Sequence, residues 1–284
     1  MAASANGTTV RFPAEEFCAT YQPVFELRGE AYRLYGAYCR VTGPETTSAQ
    51  SVAALRRLSR RTETATNPAV DRVRVATALR EWAPLAAAFA TRSHKYLYFR
   101  LPATTLASDQ AFVPFLEYQA GKNALALDQL VVEVVGFAPG SMDQRFYRAL
   151  LDLRDLGVRF AMDGVRLDRP ETDRIPGRRE VHDCDPHFLK INSDLVFNCS
   201  RFRNQQSLLE AIATLSCILG ARMVADGVER VNDLHLLKKL GVDLVSGSLF
   251  APAMSATQLE LSGWLGFEER LLPIADESVF SRIS

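Results

Sequence analysis

The chain has no excess of either charge: 33 Lys and Arg stand against 33 Asp and Glu in 284 residues. No block or tail is strongly single-signed, which excludes non-specific binding to nucleic acid or anionic lipid as its main purpose. It also lacks any apolar run approaching the roughly 20 residues that span a bilayer. The opening MAASANGTTV has no basic start followed by an apolar stretch. The five cysteines (Cys18, Cys39, Cys184, Cys199, Cys217) are odd in number and form no CxxC pair. No disulfide framework is therefore expected, and a reducing cytoplasm is the expected setting. Tryptophan is scarce: Trp82 and Trp264 stand alone and fit helix packing, not a stacking platform for single-stranded nucleic acid. Solenoid repeats and low-complexity linkers are absent as well.

What is present is a repeated order of helix, glycine, short apolar strand and polar strand end. FCATYQPVFEL and AYRLYGAYCRV, separated by RGE, read as a hairpin. Asn67 before Pro68 is a helix start, since the Asn side chain can cap a free amide and proline loses nothing in the first turn. KYLYFRLP reads as a strand, and QAFVPFLEYQAG as a helix before LALDQLVVEVV. MDQRFYRALLDLRDLG, QQSLLEAIATLSCILG and DLHLLKKLG are helices ended by Gly157, Gly220 and Gly241, each followed by a strand: VRFAMD, RMVAD and VDLVS. This is the grammar of a parallel α/β fold, and about eight strands favour a closed barrel over an open sheet. The length can bury a substantial core. Residues 1–12 are expected to be a loose arm, 13–256 the barrel and 257–284 a C-terminal helix and tail, with 166–186 a long, polar, exposed insertion.

Charged or polar residues end four of the apolar runs: Glu133, Asp163, Lys190 with Asn192, and Asp226 with Glu229. In a barrel of parallel strands such ends converge on one mouth, where this architecture places its chemistry.

The pieces YQPVFEL, GAYCRV, YFRLPA, LVVEVVG, FAMDGV, FLKIN, VADGVER and LGVDLVSGSLFAPAM, in this order over residues 21–254, resemble the EAL domain family, the cyclic di-GMP phosphodiesterases and their inactive relatives. The resemblance implies a modified TIM (β/α)8 barrel whose first strand runs antiparallel to the others. It also implies two divalent metals in a carboxylate-rich mouth, which activate water and neutralise the charge developing at phosphorus. Against that pattern the signature glutamate is Gly36, the asparagine of the next strand is Arg100, and the second acid after Glu133 is Gly136. The partner of Asp163 is Gly164, the aspartate after Lys190 is Asn192, a glutamate has shortened to Asp226, and a glutamine is Ser246; Glu229 is kept. The resemblance thus implies a degenerate member with catalytic residues, metal and cofactor all absent. The altered glycine- and serine-rich loop after Asp163 puts the family's usual dimer in doubt.

A barrel kept while its site decays suits a regulatory protein acting through an unidentified protein partner. A metal-independent cyclic di-GMP receptor is the alternative, carried by Gln22, Arg40, Arg100, Lys190, Asp226 and Pro252, and residual hydrolysis comes third. Arg40 and Arg100 meet either a phosphate or the surviving carboxylates. His182, Asp183, Cys184, Asp185 and His187 are read as polar surface in preference to a zinc site, because they lack separated ligand pairs. Cys39 and Cys217 are expected in the core, and His94 and His235 as structural or surface residues.

Overall fold

A computed structural model describes residues 17–42, 67–89, 95–137, 142–163, 183–264 and 269–272. Strands β1 (Cys18–Arg28) and β2 (Ala31–Thr42) form the expected antiparallel hairpin. Its turn passes through Gly29, whose φ of 57° is the left-handed conformation that glycine adopts without a Cβ clash. Helix α1 (Pro68–Phe89) starts where Asn67 predicts, the Ala69 N–H donating to Asn67 Oδ1 at 3.0 Å.

Strands β3 (Tyr96–Pro102), β4 (Leu130–Val135), β5 (Arg159–Asp163), β6 (Phe188–Ile191), β7 (Arg222–Ala225) and β8 (Leu244–Val245) continue parallel to β2. β1 pairs antiparallel with both β2 and β8, which closes the barrel. A reversed first strand among the eight of the barrel is the irregularity that the family resemblance implies.

Between the strands lie α2 (Ala103–Ser108), α3 (Phe112–Lys122), α4 (Gln144–Asp155), α5 (Ser193–Val196), α6 (Arg203–Leu219), α7 (Val231–Lys239) and α8 (Ala256–Leu261). Gly220 caps α6 at a φ of 64°, as its position predicts. The short α2 and α5, and a two-residue ninth strand β9 (Arg270–Leu271) on the edge of β2, carry too little periodicity to be read from sequence.

The lumen is solid. Val24, Tyr98, Val131, Ala161, Phe188, Val224 and Leu244, one from each of seven strands, pack together, with Tyr35, Tyr38 and Tyr96 against them. Alternation sends the neighbouring residues outward, where Leu97, Phe99, Val132 and Leu189 meet the helices in the larger core. At the N-terminal end of the barrel, Glu26 accepts from Arg28, Arg33 and Arg222 and closes the floor.

Cys39 is buried, but Cys217 is exposed, contrary to expectation. α6 buries Leu209, Ile212, Leu215 and Ser216, and Cys217 falls one step past that stripe. Trp82 is buried within α1, whereas Trp264 packs from the turn after α8, its ring 4.6 Å from that of Phe25. His235 is exposed on α7. His94, the arm at 1–12 and most of the insertion, up to residue 182, lie outside the described residues, as does the loop on which the dimer expectation rests. No helix among the described residues is long and apolar enough to cross a membrane.

β2 holds one distortion that bears on function. Val24 pairs with Gly36 but Phe25 pairs with Leu34, so Tyr35 is an extra, bulged residue. Just after it, a Cβ on Gly36 would sit 2.2 Å from the Tyr96 backbone oxygen. Gly36→Ala is expected to cost about 1–3 kcal/mol, because β3 backbone cannot rotate away as a side chain would; urea denaturation of the two proteins checks this.

Candidate functional site

The mouth can be built by counting. Each residue that fills the lumen is followed two positions later, and so on the same face of its strand, by a polar one. Tyr98 leads to Arg100, Val131 to Glu133, Ala161 to Asp163, Phe188 to Lys190, Val224 to Asp226 and Leu244 to Ser246. Tyr38 leads likewise to Arg40. On β1 the direction is reversed, so the mouth residue comes two positions before Val24, at Gln22. All eight strands contribute one polar side chain.

Six of the eight bond to one another. Glu133 is fully buried, and its Oε1 accepts from Arg100 Nε and from Lys190 Nζ, each at 2.9 Å. Arg100 Nη2 also donates to Asp163 Oδ2 at 3.1 Å. Lys190 Nζ lies 3.2 Å from Asp226 Oδ2 and 4.2 Å from the centre of the Tyr38 ring, so its three N–H groups face two carboxylates and a π cloud. Ser246 Oγ donates to Asp226 Oδ1 at 2.6 Å. Tyr38 was not among the residues singled out from sequence, although its place two positions before Arg40 marks it.

Burial raises the Glu133 carboxyl, but Lys190 and Arg100 more than reverse this and hold it below the ordinary range. Asp226 is lowered in the same way, burial being outweighed by Lys190 and the Ser246 hydroxyl. Lys190 is held above its ordinary value, since Asp226 and Glu133 overcome the cost of its burial. Asp163 is the exception: burial and the charge of Glu133 lift it from 3.8 to about 6, against the pull of Lys190 and Arg100.

The other expected site residues stand apart from this network. Gln22 Nε2 donates to the Ala251 carbonyl at 2.7 Å, beside the exposed Pro252. Arg40 is exposed and makes no ion pair with the described residues, so of the two arginines only Arg100 meets the surviving carboxylates. Asn192 caps α5, its Oδ1 accepting from the Asp194 N–H. Glu229 is exposed at the rim, and Gly164 lies outside the described residues. Gly136, with a φ of 69°, ends β4 without a side chain.

Two divalent ions do not fit this donor set. Gly36 offers no ligand and no room for one, and the acids nearest each other already neutralise Arg100 and Lys190. Among the described residues no group of three or more His, Cys, Asp or Glu could hold a metal. The run 183–187 is not the wholly exposed polar surface expected at the end of the insertion: Cys184 and Pro186 are buried, Asp185 pairs with Arg154, and His187 Nδ1 accepts from the Phe160 N–H.

The family model for the EAL domain matches residues 9–253. The chain belongs to the EAL domain family. Among curated relatives of this EAL domain is the blue light- and temperature-regulated antirepressor BluF of Escherichia coli K12, 25% identical over 159 residues. That match covers 56% of this chain and 38% of BluF, so the chain corresponds to well under half of that relative. Among solved structures, the EAL enzyme Bd1971 with cAMP and cyclic di-GMP bound superposes with a TM-score of 0.70 at 16% identity, covering 88% of this chain and 65% of that one. The PaMucR phosphodiesterase in complex with c-di-GMP also gives 0.70, at 17% identity, covering 86% and 94%. These structural likenesses establish the EAL barrel fold.

Removing one partner from a buried ion network strands the other charge. Lys190→Met should therefore destabilise the EAL domain by about 3–5 kcal/mol, and adding Glu133→Leu should restore most of the loss, both read by chemical denaturation. Asp163 gives the opposite sign. Its folded pKa is raised, so the folded state holds the proton more tightly, and its contribution to stability is greatest below its ordinary 3.8 and falls until about pH 6. Asp163→Asn should match the parent near pH 4 and exceed it by up to about 3 kcal/mol above pH 6.

Proposed function

We propose that this EAL domain is a non-enzymatic regulatory module that works by binding a protein partner. The observation that carries the reading is the buried Glu133 carboxylate held between Arg100 and Lys190. Cleavage of a phosphodiester by metal-activated water needs acids free to hold cations that both generate hydroxide and offset charge at phosphorus. Here the protein's own cations take that place, and neither a guanidinium nor a high-pKa ammonium supplies hydroxide. The antirepressor named among the relatives supports a regulatory role for a barrel of this kind.

A second reading, a metal-independent cyclic di-GMP receptor, is favoured by one feature. Arg40 is exposed at the mouth with its guanidinium unpaired among the described residues, able to take a phosphate through two hydrogen bonds.

Calorimetric titration with cyclic di-GMP, with and without Mg²⁺ or Mn²⁺, followed by analysis of the recovered nucleotide, separates these readings. The expected outcome is intact nucleotide under every condition and no saturable heat. One-site binding of intact ligand, weakened by Arg40→Ala, would replace the first reading with the second. Linear dinucleotide formed only with metal would overturn both.

A further inference from the structure

Beside the mouth, the connection from β6 to α6 holds an unusual combination of rigidity and exposed apolar surface. Asp233 at the start of α7 is 1% exposed. Its carboxylate accepts from the Asn198 N–H at 3.1 Å, from the Ser200 N–H at 2.9 Å and from the Ser200 hydroxyl at 2.7 Å. From the other side, the Gln205 amide donates to the Phe197 carbonyl, and the Gln206 amide to those of Cys199 and Ser200. Asn198 is left-handed, at a φ of 61°, so the segment is a tight loop whose backbone is held from both sides.

That loop presents two phenylalanines to solvent: Phe197 is 45% exposed and Phe202 51%. Three exposed arginines surround them. Arg201 and Arg203 flank Phe202, and the Arg230 guanidinium lies 5.6 Å from the Phe197 ring centre. None of the three pairs with a carboxylate among the described residues. α6 begins just after Phe202 with no side-chain cap, so its positive end adds to the same field, while Asp233 in the first turn of α7 offsets the end of that helix. Aromatic and arginine side chains are the groups that dominate protein interfaces, and a backbone already held before encounter leaves less loop entropy to be lost on binding.

We infer that Phe197, Phe202, Arg201, Arg203 and Arg230 form the docking surface for the partner, and that the partner offers an acidic segment carrying an apolar anchor. The phenylalanines receive the anchor, and the three guanidiniums receive its carboxylates. The inference rests on the non-enzymatic reading above and deepens it, giving that reading a location and a partner chemistry.

The test uses the full chain and fluorescein-labelled 12-residue peptides that combine Asp and Glu with Leu and Phe, against Lys and Arg peptides of equal apolar content. Acidic peptides should bind in the micromolar range, the basic set at least tenfold more weakly, with the preference reduced in 0.5 M salt. Phe197→Ser/Phe202→Ser and Arg201→Glu/Arg203→Glu should each weaken acidic-peptide binding at least tenfold while leaving the circular dichroism spectrum unchanged. The charge-reversed protein should now prefer the basic set. Equal binding of both sets, binding untouched by either double variant, or a concentration-dependent dimer abolished by the Phe double variant would each overturn the inference, the last by assigning the surface to a second copy. Nucleotide turnover is measured separately: hydrolysis with peptide binding intact sinks only the non-enzymatic reading, and absent hydrolysis without peptide binding sinks only this surface.

Discussion

The barrel's mouth depends on a single buried carboxylate. Glu133 has no exposed surface, and one of its oxygens takes hydrogen bonds from both Arg100 and Lys190. An ion in such a place is tolerated only when its neighbours return what water would have supplied. The cations meet that demand at Oε1, while Oε2 stays buried with no hydrogen-bond partner among the described residues, and they then need anions of their own: Arg100 reaches Asp163, and Lys190 reaches Asp226. Five strands' worth of side chains are fixed by this chain of obligations, with Ser246 adding a sixth. Its cost is visible at Asp163, where three carboxylates facing two cations leave one group that keeps its proton to about pH 6.

Much of the fold was legible because the residues follow period two without a break from lumen to rim. The polar strand ends Glu133, Asp163, Lys190 and Asp226 are visible in the sequence as interruptions of apolar runs, and a barrel of parallel strands must bring them together. That reasoning also places Gln22, though from the other direction, because a reversed strand exposes its N-terminal end at the mouth. What pattern could not supply was who pairs with whom. Arg100 and Arg40 are equivalent in sequence terms, yet only Arg100 has a carboxylate directly across in register, Glu133 on β4.

Other misses have equally local causes. The bulge at Tyr35 has no sequence marker, and without it Gly36 reads as a lost ligand instead of a position with no room for any side chain. Cys217 and Ser216 differ by one helical step, which decides core from solvent and is finer than a judgement from hydrophobicity alone. Asp233 is an ordinary acid in a helix's first turn by sequence. Its use as an anchor for the Asn198 and Ser200 amides depends on α7 lying beside the end of β6, a tertiary relation.

The reversed first strand has a consequence for the order of assembly. β1 closes the sheet through Phe25 with Val245 and Glu26 with Leu244, pairs drawn from opposite ends of the domain, and β8 is two residues long. During synthesis the hairpin forms before the other strands but remains half-paired until β8, the last barrel strand, has emerged, and closing so long a loop is entropically slow. Lys190 and Asp226 also follow Glu133 in the chain, so the network around the interior acid is incomplete until β6 and β7 have joined the sheet. Charge satisfaction and ring closure therefore both wait on the second half of the barrel. A nascent barrel of this design has little to gain from being partly formed, which favours an all-or-none final step.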